Sequence, residues 1–340
     1  MYIDDKTVVV CLNNIRFNIE CDSKELASKV YKKYKNYFVE DISFDSLVNI
    51  NISFSMDKNN YNSLYHLLSK TEVDSFLRPN IVKYKINGED VFFANDSIVL
   101  DNGNDNYTVV SEKNIYGPYY VMLECMSRIL EEYGTYLFHG NSYGIEDLSL
   151  VTIGESGSGK TSLMSKLFQL EELKKSFLSN DRLLLSQDRS MYFPIDINID
   201  RDIIRFDSHL SKYFNYEDKK QLIKPREIPS IYPNMEYRSS NPNQMIIIPK
   251  IDFDNKTSIS LVNASSEEAR FVLKRNMFSI NDRECERDFW IRKPTLIEQE
   301  RFSESSKLIN QIIDNYGVYI LRYGCDTNGS QIYEKILKSR

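Results

Sequence analysis

The sequence predicts a mixed α/β protein in which a phosphate-loop core follows a smaller, strand-rich α+β N-terminal domain. Three observations carry that prediction. Gly154-Glu-Ser-Gly-Ser-Gly159-Lys160-Thr161 satisfies G-x-x-x-x-G-K-[ST] at every fixed position. Alternating apolar runs split by Asn-Asn, Asn-Gly and Asn-Asp turn signals dominate residues 1–112. From 113 onward short apolar strands alternate with segments of helical spacing. The domains are therefore placed at 1–112 and 113–340.

Taken in order, residues 7–12 and 15–19 form a hairpin around Asn13-Asn14, and Ser23 caps a helix with Glu25 and Leu26 just inside it. Over 47–54, Val48, Ile50, Ile52 and Phe54 alternate with Leu47, Asn49, Asn51 and Ser53, which predicts a half-buried strand. A short helix is expected over 59–68. Strands follow at 81–84, 90–93 and 97–100, separated by Asn87-Gly88 and Asn95-Asp96, with 101–105 as a further turn. In the second domain, 119–133 is a helix stopped by Gly134, and 135–138 is a strand ending in His139-Gly140. The strand 148–153 enters the phosphate loop and a helix over 162–170 leaves it, the context the motif requires. Strand 176–179 ends in Asn180-Asp181, and 183–185 pairs with 191–193. Residues 224–242, interrupted by prolines, read as a long loop. Strands at 244–249, 257–262 and 318–321, with helices near 265–275, 297–313 and the C-terminus, complete the chain.

Composition sets the class. The chain is 41% apolar and 27% charged over 340 residues, as in globular proteins, and no run approaches a membrane span. Met1-Tyr-Ile-Asp-Asp-Lys lacks the basic start and apolar stretch of a signal peptide, so a cytoplasmic location is expected. Cys11, Cys21, Cys125, Cys285 and Cys325 form no C-x-x-C pair, which argues against a zinc site or a disulfide framework. A net charge of -6 gives no footprint for general nucleic-acid binding. Nucleic acid and membrane are thus not expected partners.

The spacing of the loop has a physical reading. Its glycines let backbone N–H groups turn inward around a polyphosphate, Lys160 reaches the β and γ phosphates, and the Thr161 hydroxyl faces Mg²⁺. Six of the twelve glycines fall between 134 and 159, so the loop is no product of a glycine-rich chain. Gly154, Glu155, Ser156, Gly157, Ser158, Gly159, Lys160, Thr161 and Ser162 form the nucleotide-binding set, helped by the dipole of the helix that begins there. Phosphoryl transfer also needs a carboxylate for the metal or the acceptor proton, and Asp181 at the end of a neighbouring strand is the best placed. His139 ends the strand before the loop strand. His66 and His209 have no such setting and read as structural.

Phe138-His139-Gly140, the phosphate loop 154–161 and Asn180-Asp181-Arg182-Leu183, in that order, resemble the HPr kinase/phosphorylase superfamily, whose pattern is Leu-His-Gly, a phosphate loop and Asp-Asp-Arg-Val. The match covers residues 135–185; elsewhere the likeness is one of layout. That layout is most similar to a divergent branch with a strand-rich N-terminal region, which includes serine kinases of ribosomally made precursor peptides such as lasso peptides. The resemblance implies a core like phosphoenolpyruvate carboxykinase, ATP and Mg²⁺ as cofactors, and transfer of the γ-phosphoryl group to a serine or threonine hydroxyl of a peptide or protein. It assigns catalysis to Asp181, His139 and Lys160, and the metal to Thr161 and Asp181. Two departures stand out. Asn180 replaces the family's first aspartate, commonly assigned as the base, and the Glu-x-Arg-Gly signature is missing, with Asp196 in the corresponding region. Arg201, Arg205, Lys224 and Arg226 follow as cations that read either as solvated surface charges or as a dock for a phosphate or an acidic peptide end. A metabolite kinase on the same core and a nucleotide-binding regulatory protein without transfer are the alternatives; a homo-oligomer is left open.

Overall fold

The computed structural model of the protein describes residues 1–38, 48–78, 81–94, 96–213, 220–238, 240–242, 245–277 and 298–339. Leu47, Asn95, Gln244, Cys285 and Ile297 of the sequence reading lie outside them. The described chain is mixed α/β and divides into two compact units, Met1–Glu132 and, from Tyr133, Tyr133–Ile280 with Ile297–Arg340.

The first unit is a nine-stranded sheet. Its strands are β1 (Tyr2–Asp4), β2 (Thr7–Leu12), β3 (Ile15–Cys21), β4 (Val48–Ser55), β5 (Val73–Arg78), β6 (Ile81–Ile86), β7 (Glu89–Ala94), β8 (Ser97–Asp101) and β9 (Asn106–Ser111), in the order β1-β2-β3-β4-β9-β8-β7-β6-β5. Asn13 and Asn14 both adopt positive φ, 50° and 63°, which closes the β2–β3 hairpin as the turn signal required. The helix α1 (Lys24–Tyr34) begins where Ser23 Oγ accepts the Leu26 N–H at 3.1 Å. On β4 the predicted alternation holds, with Ile50, Ile52 and Phe54 buried and Asn49, Asn51 and Ser53 exposed. The exposed row is tied by amides: Asn18 Nδ2 donates to Asn51 Oδ1 at 3.0 Å, and Asn51 Nδ2 to Asn106 Oδ1 at 3.1 Å. The helices α2 (Lys58–Leu68) and α3 (Gly117–Glu132) follow, and α3 packs on β3, β4, β8 and β9. The units thus divide between Glu132 and Tyr133, beyond the boundary placed at 112 from sequence.

The second unit is built on a seven-stranded mixed sheet. It contains β11 (Gly140–Ile145), β12 (Leu148–Ile153), β13 (Lys175–Ser179), β18 (Met235–Tyr237), β20 (Met245–Asp252), β21 (Ile259–Asn263) and β22 (Val318–Gly324), in the order β18-β13-β11-β12-β20-β22-β21. All six residues of β12 are buried, because both faces of the sheet are covered. Leu148 and Leu150 face one core with Leu163, Leu167 and Phe168 of α4 (Lys160–Phe168) and Ile332 of α9 (Gly329–Leu337). Val151 and Ile153 face the other, with Leu273 of α7 (Ser266–Arg275) and Ile312 of α8 (Glu298–Tyr316). That second core also takes Tyr136, Phe138, Leu183 and Leu185 from a four-stranded sheet of β10 (Tyr136–Phe138), β14 (Leu183–Leu185), β15 (Arg189–Met191) and β19 (Ser240–Pro242). Among the described residues no helix is long and apolar enough to cross a membrane.

The stretch read as a long loop from 224 contains structure. A 3-10 turn at Pro225–Glu227 leads into α6 (Ile228–Ile231), then β18, which runs parallel to β13, and β19, which pairs with β15. Just upstream, β16 (Ile197–Asp200) pairs with β17 (Lys220–Ile223), and α5 (Arg201–Phe206) ends at a buried carboxylate. Asp207 Oδ2 accepts from Ser165 Oγ at 2.5 Å and Tyr232 Oη at 2.6 Å, while Oδ1 accepts the N–H groups of His209 at 2.9 Å and Leu210 at 3.0 Å. Truncation strands four donors around a cavity. Asp207→Ala is therefore expected to cost about 3–5 kcal/mol in urea unfolding, whereas a surface aspartate such as Asp188 costs under ~1 kcal/mol.

Candidate functional site

The phosphate loop joins β12 to α4, as its motif demands. Gly157 and Gly159 carry φ of +79° and +101°, and Gly159 is the left-handed N-cap of the helix. Position 159 tolerates nothing larger. A Cβ there would lie 2.6 Å from Ile251 Cγ1 and 2.7 Å from the Tyr323 hydroxyl, on top of the backbone strain. Tyr323, fully buried on β22, donates to the Gly159 carbonyl at 2.9 Å and so fastens the loop to the sheet. The first helical hydrogen bond of α4 runs from Leu163 N–H to Gly159 O at 2.8 Å, so the amides of Lys160, Thr161 and Ser162 precede the helical ladder.

Lys160 is buried and folded over its own loop, with Nζ donating to the carbonyls of Gly154 at 2.7 Å and Glu155 at 3.0 Å. Burial pushes its ammonium down to about 8, against the opposing pull of the Asp181 and Glu155 carboxylates. Glu155 itself pairs with Arg275 at the end of α7, Nε to Oε1 at 2.8 Å.

Asp181 sits in the left-handed region at φ +67°, an uncommon conformation that aspartate and asparagine tolerate. Its backbone is held by β11: Gly140 N–H donates to its carbonyl at 3.2 Å, and its own N–H donates to Asn141 Oδ1 at 3.0 Å. That places Asp181 Oδ1 3.1 Å from His139 Nε2, which carries the proton because an ionised carboxylate only accepts. The His139 hydrogen bond is the main reason the Asp181 carboxyl lies below the usual range; burial opposes it, and the charges of His139, Arg182 and Lys160 add to the lowering. The His139 backbone N–H donates to the Asn276 carbonyl at 2.8 Å.

The adjacent Asn180 points the other way. Its Oδ1 accepts from the Thr161 hydroxyl at 3.4 Å. The structure thus sets Thr161 against Asn180 and Asp181 against His139. Among the described residues no group of three or more His, Cys, Asp or Glu side chains is placed to hold a metal. The donor set fits a polyphosphate: two positive-φ glycines precede a helix N-terminus, and among the described residues Ser158 Oγ and Asn180 Nδ2 are buried without hydrogen-bond partners. A polyphosphate brings Mg²⁺ ligands of its own, which suits a site offering one hydroxyl, one amide oxygen and a nearby carboxylate.

The other sequence candidates lie on neighbouring segments. Lys224 pairs with Asp196 at 2.7 Å, Arg201 opens α5, Arg226 lies in the 3-10 turn, and the Arg205 side chain is outside the described residues. His66 is exposed in the last turn of α2, and buried His209 lies 3.3 Å from Glu171. Asn141, Tyr323, Arg275 and Asn276 were missed. Asn141 follows His139-Gly140 directly and carried a local signal, but the other three reach the site only through tertiary packing. No protein-family model matches the chain, and no curated protein matches it. The functional reading rests on the residues themselves.

Proposed function

We propose that the protein is an ATP- and Mg²⁺-dependent phosphotransferase acting on a serine or threonine hydroxyl of a peptide or protein. The observation that carries the reading is the His139–Asp181 contact, set beside a phosphate loop whose Lys160 feels the Asp181 charge. The loop amides and Lys160 would neutralise the terminal phosphates, and Thr161 with Asn180 would hold the metal, which would supply charge neutralisation. Asp181 accepts the proton of the attacking hydroxyl, and His139 holds the carboxylate in place. The peptide class of acceptor is supported by the three-motif resemblance of residues 135–185.

Nucleotide affinity tests the loop through pH. The protonated form of Lys160 attracts phosphate, and the free protein keeps that proton only below about 8. Above that value binding must take up a proton, so ADP affinity measured by calorimetry at pH 7–10 is expected to fall by up to about tenfold per unit past the break. An affinity flat across that range contradicts the role given to Lys160.

A further inference from the structure

Two cations reach the phosphate loop, and each is compensated from within it. Lys160 lies on the carbonyls of Gly154 and Glu155, and Arg275 lies on the Glu155 carboxylate. Glu155 also acts on Lys160, being one of the two carboxylates that favour its charged form. A single loop carboxylate therefore serves both positive groups around the anion site.

The position of Arg275 is fixed by more than this ion pair. The next residue, Asn276, is buried and accepts the His139 backbone N–H at 2.8 Å, and Met277 bridges to Phe138. The end of α7 is thereby held against the strand that delivers His139, while its arginine reaches the loop. Both partners of the ion pair are more than half exposed, 57% and 59%, so the pair itself adds little to stability. Among the described residues the guanidinium donates through Nε to Glu155 and lies over the Phe271 ring at 5.9 Å, and its planar fork matches phosphate.

We propose that Arg275 is a second phosphate-binding cation of this site, and that Glu155 is an internal anion that occupies it until a polyphosphate takes its place. The inference rests on the phosphate-site reading above and adds to it a binding residue and a built-in competitor. No covalent step is involved: the guanidinium exchanges a carboxylate for a phosphate oxygen. The exchange gives the two halves of one ion pair opposite effects on affinity, which a purely structural pair does not.

The test is calorimetric titration of ADP, with and without Mg²⁺, into the full chain and the variants Arg275→Gln, Arg275→Lys and Glu155→Gln, with thermal melting to confirm folding. Arg275→Gln is expected to weaken ADP about tenfold, Arg275→Lys to recover part of that loss, and Glu155→Gln to tighten ADP about threefold. The Glu155→Gln gain is expected to vanish in the Arg275→Gln background. Unchanged affinity in Arg275→Gln, or equal weakening in Arg275→Gln and Glu155→Gln, overturns the inference while leaving the phosphate loop in place. A wild type that fails to bind ADP overturns both.

Discussion

Lys160→Ala is expected to lose nucleotide binding, with ADP affinity reduced at least about 100-fold. The side chain brings an ammonium to the phosphate loop, and hydrogen bonds from a charged donor to phosphate are worth roughly 1.5–3 kcal/mol each, with two such contacts replacing those now made to Gly154 and Glu155. The stability of the free protein moves in a different way. Because the folded-state value of Lys160 lies below its ordinary one, the unfolded chain binds the proton more tightly; the charged group opposes folding below about 8, and that opposition fades as pH rises toward the unfolded value. Alanine removes the opposing charge along with some packing, so the melting temperature near neutrality is expected to change little. Collapse of the melting transition, instead of loss of ADP binding in a folded protein, contradicts the assignment.

Asp181→Asn is expected to produce the opposite split, with nucleotide bound normally and transfer reduced about 10²–10⁴-fold. Asparagine keeps the left-handed backbone at φ +67° as well as aspartate does, and the contacts from Gly140 and to Asn141 involve only the backbone of residue 181. The change therefore removes the proposed proton acceptor while leaving these backbone contacts in place. The Asp181 carboxyl lies below the ordinary carboxylate range, so it is ionised and able to accept a proton through the whole neutral range. Any loss of turnover on acidification should set in only below that range.

The loop, the strand before it and the helix after it were legible because the motif is local: its spacing fixes which backbone groups face inward. His139 and Asp181 were legible as candidates, yet their meeting depends on β11, which lies between β12 and β13 and holds Asp181 through Gly140 and Asn141. The different contacts of Asn180 and Asp181 were not legible. They follow from a positive φ at Asp181, which turns adjacent side chains to different neighbours. Short strands such as β18 and β19 show no periodicity, and each exists only because a partner distant in sequence completes its hydrogen bonds. In the first unit β9 was missed for a similar reason, although its place between β4 and β8 makes one sheet out of two sets of hairpins. The pairing of Arg275 with Glu155 has no sequence signal at all.

The central claim is that one site binds ATP on the loop and passes its γ-phosphoryl group toward an acceptor beside Asp181. Incubation of wild-type and Asp181→Asn protein with γ-labelled ATP, Mg²⁺ and a degenerate serine- and threonine-containing peptide library measures it most directly. The account predicts label in acid-stable phosphoesters with the wild type and its loss in Asp181→Asn at equal ATP occupancy; equal transfer by both proteins, or ATP left intact by the wild type, contradicts it.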